Sequence, residues 1–302
     1  MKSNPHHLHK FLSLSEFHKM FGLPKPEHPL VSYIRLEDME LPEELPENMV
    51  LDFYKIAYKD TVGSAKYGQH HYDFGEGGLV FTAPGQVFEK PKHKETKGFL
   101  ILLHPDFLLS YPLAKKIKQY GFFSYSTDEA LKVSEKEKET LFSVFKIIDE
   151  ELKSRTDDFS QDVVMSQIEL LLNYSSRYYK RQFITFKAVN DRLIEKFEKV
   201  LESYFNDDEE LQNGMPTVQN LADELNVSAN YLSDMLRSLT GLNTQQHIHN
   251  RFIETAKEIL STTDLSVSEI AYHMGFEYPQ SFTRLFKSKT NQTPLEFRQA
   301  FN

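Results

Sequence analysis

The chain has 302 residues, 40% of them hydrophobic and 26% charged, with 35 Lys and Arg against 44 Asp and Glu and a formal net charge of −9. At roughly 100–200 residues per domain that length holds two or three domains. No apolar run approaches the ~20 residues of a membrane helix, and the absence of cysteine removes disulfides, thiolate metal sites and thiol nucleophiles together. The acidity argues against a broad polyanion-binding surface, so any nucleic-acid site has to be local.

The first stretch, "MKSNPHHLHKFLSLSEF", has no continuous apolar segment followed by a small-residue cleavage site, so no secretory signal is read and a cytoplasmic protein is expected. Residues 11–22 read as one short helix, ended by the proline-rich "GLPKPEHPL". From about 31 to 105 the runs "VSYIRL", "LDFYKIAY", "HHYDF", "GLVFTA" and "GFLILL" are short, β-branched or aromatic, and bounded by Gly, Pro and acidic clusters. They predict the strands of a small barrel or sandwich. Tyr54, Tyr58 and His71 fall on these strands and are the polar candidates for holding a small molecule inside, the alternative being rings that fill the core.

The period then changes. Leu141, Val144, Phe145, Ile148 and Leu152 recur at helical spacing, as do Val164, Ile168, Leu171, Leu172 and Tyr178, and Ser134 with Glu137 offers a capping box. These predict a helix pair that either packs on the β unit or carries a dimer seam, and the dimer seam is the expectation. "RQFITFKAVND" reads as a linker, followed by a helix from about 190 to 206 and by the acidic "NDDEELQNG".

Beyond that, one unit occurs twice. "LADELNVSANYLSDMLRSLTG" and "IAYHMGFEYPQSFTRLFKSKTN" align with a single one-residue insertion, placing Leu221, Ala222 and Leu225 on Ile270, Ala271 and Met274, and Asn226 on Gly275. Each copy has a capped first helix, a corner suited to left-handed backbone, and a second helix whose apolar side opposes a polar stripe. The stripes are Asn230, Ser233, Asp234 and Arg237 in one copy and Gln280, Thr283, Arg284 and Lys287 in the other, both at i, i+3, i+4, i+7, with Ser281 beside Gln280. Side chains of these types read base edges in the major groove. A helix at about 244–261, with Ile248, Phe252, Ala256, Ile259 and Leu260 on one face, joins the copies. Residues 187–302 hold 11 Lys and Arg against 17 Asp and Glu, so the favourable charge is confined to the neighbourhood of Arg237, Arg284, Lys287 and Lys289.

"SANYLSDMLRSLTG", "RFIETAKEIL" and "SVSEIAYHMGFEYPQSFTRLFKSKTNQTPLEFR", in that order, resemble the DNA-binding domain of the AraC/XylS family of bacterial transcription regulators. The resemblance covers about the last 100 residues and implies that Asn230, Ser233, Asp234, Gln280, Thr283 and Arg284 are base-reading positions. Asp234 stands where the family usually has a basic residue, and Asn291 where it usually has glycine. "GGLVFTAPGQVFE" with "GFLILLHPDFL" is similar to the cupin-like regulatory barrel that many members carry. The resemblance implies a multidomain α and β chain: a cupin-like β domain over residues 1–133, a dimerising helix pair over 134–182, and an all-α domain over 183–302 with helix-turn-helix units at 217–241 and 266–291. It also implies double-stranded DNA, a second copy of the chain, RNA polymerase and a small-molecule effector as partners, without a cofactor.

Against an enzyme stand the absence of a nucleophile elbow, a phosphate-cradling loop and a dinucleotide fingerprint. His70 and His71 are adjacent on a strand and His247 and His249 lie two apart on a helix, so neither pair converges on a metal. Two rivals remain: an enzyme built on the cupin-like barrel with the helical half used for assembly, and a protein-binding module that uses the polar stripes for a partner.

Overall fold

A computed structural model describes residues 8–42, 46, 48–60, 66, 67, 70, 71, 77–89, 97–154, 157, 159–206 and 214–300. The chain divides into two compact units, residues 1–185 and 186–302.

In the first unit, β1 (Leu8–Phe11) leads into α1 (Leu14–Met20), whose cap Ser13 accepts from the Glu16 amide. The strands β2 (Val31–Arg35), β3 (Asn48–Leu51), β4 (Tyr54–Lys59), β5 (Lys66–Tyr67), β6 (His70–His71), β7 (Gly78–Thr82), β8 (Val87–Glu89) and β9 (Gly98–Leu103) follow, then the single-turn α2 (Leu113–Lys116) and β10 (Leu131–Lys132). One sheet is antiparallel in the order β10-β7-β4-β9-β2; a second, β1-β3-β8, has β1 and β3 parallel; β5 and β6 pair separately. Alternation along β4 and β9 sorts the larger sheet into two faces. Ala57, Leu100, Leu102 and Ile34 join Phe11, Met49 and Leu51 of the smaller sheet and Leu14, Phe17 and Phe21 around α1 in one core. On the other face, Tyr58 and Phe99 meet Phe142 edge-on, with ring centroids 4.8 and 5.1 Å apart. Burial on both faces explains why β7 and β9 read as continuous apolar runs.

The covering helices are α3 (Glu135–Lys153) and α4 (Ser160–Thr185). The Ser134–Glu137 capping box starts α3 as expected. Arg181, near the end of α4, bridges to Glu137 at 2.6 Å, so the two helices run antiparallel.

The expected closed barrel is not what the described residues form. At the β10 edge the Lys132 amide donates to Gln182 Oε1 at 2.7 Å and Arg181 Nη2 donates to the Lys132 carbonyl at 2.8 Å. Side chains of α4 thus take the bonds a closing strand would need, and helices rather than more sheet cover the outer face. At the opposite edge, β2 pairs with β9 alone among the described residues. The apolar stripes of the helix pair are spent inside the unit: Leu171 and Leu172 are both fully buried, while Ile147 and Leu170 remain exposed. The expected linker is helical, since only Phe186 separates α4 from α5 (Lys187–Asn206); the stretch contains no Gly or Pro to stop a helix.

The second unit continues with α6 (Val218–Leu225), α7 (Ala229–Thr240), α8 (Thr244–Thr262), α9 (Val267–His273), α10 (Pro279–Thr290) and α11 (Pro294–Gln299). Phe252 of α8 is fully buried and packs against Phe205 of α5 and against Phe276 and Phe282 of the second repeat, at 6.4, 5.4 and 6.2 Å between ring centroids. The acidic segment before α6 lies largely outside the described residues.

Candidate nucleic-acid interface

Both repeats turn their corners through the same hydrogen bonds. Val227 N donates to Ala222 O at 3.0 Å, and Phe276 N donates to Ala271 O at 2.9 Å. The residues preceding these donors, Asn226 at φ 55° and Gly275 at φ 76°, hold the left-handed conformation that lets the amide fold back. Thr217, Ser228 and Ser266 cap α6, α7 and α9 through their hydroxyls, and α10 begins instead on Pro279.

The match extends past the two helices. Gly241 at φ 82° and Asn291 at φ 61° end α7 and α10, their amides returning to Arg237 O at 3.1 Å and Lys287 O at 2.9 Å. Thr240 and Thr290 then hydrogen-bond Leu236 O and Phe286 O, each at 2.8 Å. Asn243 with Gln246, and Thr293 with Glu296, form capping boxes that start α8 and α11. Each repeat is therefore a three-helix unit. The signal was present in "NTQQ" and "TPLE", a cap residue followed three positions later by Gln or Glu.

These corners aim the stripes outward. Leu232, Met235 and Leu236 on α7, and Phe282 and Phe286 on α10, are fully buried, and Leu285 is half-buried. On the opposite sides Asn230, Arg237, Gln280, Arg284 and Lys287 are exposed, while Ser233, Asp234, Ser281 and Thr283 are half-buried. The two stripes differ in what restrains them. Asp234 pairs with Arg237 at 3.7 Å, and Ser233 Oγ lies 3.0 Å from the Oγ1 of Thr244, which is buried at the start of α8. In the second repeat Pro294 occupies the place of Thr244 and offers Thr283 no hydroxyl. Among the described residues Arg284, Lys287 and Lys289 enter no ion pair. Hydrogen bonds with the Thr293 amide and hydroxyl hold the Glu296 carboxyl below its ordinary pKa, and the Lys287 charge adds to that. Burial, and then the Lys289 charge, push the His249 ring below its ordinary value, so the cationic side of α10 reaches α8.

The small-molecule candidates lie elsewhere. Tyr58 is fully buried against Phe142 of α3, and Tyr54 is buried with its ring 5.0 Å from that of Phe123, both on the face under the helical cover rather than between the sheets. The His71 side chain lies outside the described residues. His247 Nε2 is 2.8 Å from Thr240 Oγ1, and His249 Nε2 is 2.9 Å from Gln245, so the two rings have separate partners. Among the described residues no three His, Cys, Asp or Glu side chains converge on a metal position, and no helix is long and apolar enough to cross a membrane.

A family model described as a helix-turn-helix domain, of the AraC type, matches residues 221–300. Over 79 residues the chain is 33% identical to the HTH-type transcriptional activator RhaS of Escherichia coli O157:H7, a match spanning 26% of this chain and 28% of that one. It is 25% identical over 139 residues to the uncharacterized HTH-type transcriptional regulator YijO of Escherichia coli K12, spanning 46% and 44%. It is 22% identical over 143 residues to histidine kinase P4 of Formosa agariphila, spanning 47% of this chain and 10% of that protein. The chain thus covers less than half the length of each of these relatives. The duplicated three-helix units are an AraC-type helix-turn-helix domain.

Proposed function

We propose that the chain is a sequence-specific DNA-binding transcription regulator acting in the cytoplasm, with Asn230, Ser233, Asp234, Arg237, Gln280, Ser281, Thr283, Arg284 and Lys287 facing double-stranded DNA. The observation that carries the reading is the pair of outward polar stripes held at matching corners and joined through one helix whose apolar face is buried. In this reading α10 supplies the phosphate-neutralising charge and α7 discriminates among bases, because the Asp234 carboxylate offsets Arg237 while Arg284, Lys287 and Lys289 have no acidic ion-pair partner among the described residues. The first unit serves a second copy of the chain, with the exposed Ile147 and Leu170 of the helix pair available to the seam, and RNA polymerase is the partner through which regulation acts. The cupin-like and effector-holding readings of the first unit rest on the resemblance of its strand sequences.

The test is a DNA-shift titration of the full chain on the region upstream of its own gene and on unrelated DNA, at several salt concentrations. Arg284→Ala should cost about 1–3 kcal/mol on the specific site, and Lys287→Ala should weaken all sequences and reduce the salt slope by about one unit. Equal loss on both DNAs for Arg284→Ala would remove it from base reading. Absence of any preferred site would favour the protein-binding alternative.

A further inference from the structure

The two edges of the larger sheet are treated differently, and the open one carries a groove. β10 is sealed by Gln182 and Arg181, whereas the far side of β2 faces away from β9. Register identifies the groups turned outward. His104 N donates to Leu30 O at 2.8 Å, and steps of two along the β2–β9 register make Ser32 with Leu102 and Ile34 with Leu100 the bonded pairs. The amides of Val31, Tyr33 and Arg35 and the carbonyls of Val31 and Tyr33 then point to the open side, the Arg35 carbonyl starting the 3-10 turn Leu36–Asp38 that follows.

Over that side lies a groove of about 180 Å³, floored by Val31 to Arg35. Leu23 to Glu27 wall it on one flank, and Asp149, Leu152 and Lys153 of α3 on the other. A pocket on a sheet face meets every second residue of a strand; this one meets five in succession, so it follows the strand's edge. The first wall is fixed in place: His18 Nδ1 donates to Pro24 O at 2.5 Å, its Nε2 accepts from Ser32 Oγ at 2.8 Å, and Leu23 N donates to His18 O at 2.9 Å.

The lining complements a peptide. The edge supplies donors and acceptors at main-chain spacing, and Leu23, Pro24, Pro26 and Leu152 give apolar surface for side chains. Three cations, Lys25, Arg35 and Lys153, balance three acids, Glu27, Asp38 and Asp149, which suits a zwitterion better than a net anion or cation. Lys153 is engaged by Asp149 at 2.7 Å, and Arg35 ends the strand with its guanidinium in no ion pair among the described residues. Five residues of strand span ~17 Å, enough for a tripeptide of ~10 Å together with its charged ends. We propose that this groove binds a short free peptide, laid as an extra strand along β2 with its carboxylate at Arg35. The inference concerns the first unit alone and stands apart from the DNA-binding reading.

Calorimetric titration of the full chain with free trivaline tests it, without DNA present. The expected result is saturable binding that weakens roughly tenfold when the probe's carboxylate is amidated or when Arg35→Ala is used, with Arg35→Ala adding little against the amidated probe. Arg35→Pro removes an outward amide without touching the β2–β9 bonds and should abolish binding of both probes. Trivaline methylated on its central amide nitrogen should also bind more weakly to the unaltered chain, an arm that requires no variant to fold. The proposal is overturned by no saturable heat up to about 10 mM trivaline, or by undiminished binding of the methylated probe. Binding of the doubly blocked peptide, acetylated and amidated, as tightly as the free one would also overturn it, since the groove would then read internal segments of a protein.

Discussion

Asp234→Ala separates the two stripes by experiment. Its ion pair with Arg237 spans 3.7 Å between side chains that are 34% and 58% exposed. Such half-solvated i, i+3 pairs contribute about 0.2–0.5 kcal/mol, so the thermal midpoint of the second unit should barely move. The effect on DNA is larger, because one change removes a carboxylate that repels phosphate and frees a guanidinium to approach it. At ~6 Å in water a unit repulsion is worth about 0.7 kcal/mol before salt screening. One additional neutralised phosphate should steepen the plot of log affinity against log salt by about 0.9. A fourfold change in salt, from about 50 to 200 mM, then alters the gain on unrelated DNA by about 3.5-fold, with the greater gain at low salt. Discrimination should narrow at the same time, because a carboxylate that accepts from cytosine is lost. Fluorescence anisotropy on the upstream region and on unrelated duplex, at four salt concentrations, measures both quantities. An unchanged slope, or equal weakening on the two DNAs, would show that Asp234 does not face phosphate and that the proposed division between α7 and α10 is mistaken.

At the corners, Asn226→Val should destabilise the second unit by about 1–2 kcal/mol in urea titration, since a β-branched residue resists φ 55°, whereas Asn226→Gly should be close to neutral. Burial depresses the pKa of His18, His247 and His249 below 6.5 in the folded chain, so on acidification the unfolded chain takes up protons first. Their contribution to stability is full above pH 6.5 and declines as pH falls through the folded values, giving lower thermal midpoints at pH 5 than at pH 7. Leu171→Glu should unfold the first unit, because a carboxylate would occupy a fully buried site, and circular dichroism should show the loss. Ile147→Arg with Leu170→Arg changes exposed positions only, so it should leave the helices intact and give a monomer by sedimentation.

The features legible in the sequence are those specified within a few residues. Asn226, Gly275 and Asn291 were readable as left-handed because few residue types adopt that backbone, and the capping boxes at Ser134 and Ser266 because the cap and its Glu are three positions apart. The outward stripes followed from helical periodicity. What was not legible depends on partners far along the chain. Nothing near Lys132 announces that Gln182, fifty residues later, will occupy its edge bonds and leave the sheet open where a barrel was expected. Likewise the buried apolar stripe of α4 could face a sheet or another subunit, and periodicity does not distinguish the two. The restraint of Ser233 by Thr244 is not legible in the sequence because it crosses from α7 to α8 through a turn whose geometry the pattern does not state.

The contrast between locally capped helices and a sheet of distant strands also bears on the order in which the chain acquires structure. In the second unit, Thr217, Asn243, Ser266 and Thr293 each cap a helix through an amide three residues away, so nucleation there requires only short loops to close. In the first, β2 reaches its sheet partner β9 by joining Val31 to Leu103, and β10 reaches β7 by joining Leu131 to Leu79. Closing loops of that length before any reward is gained makes for slow folding. During synthesis the first unit emerges earlier and finishes later. Its unpaired strands are then held open while rapidly forming helices appear behind them, and it is the half of the molecule expected to be more exposed to aggregation before it is complete.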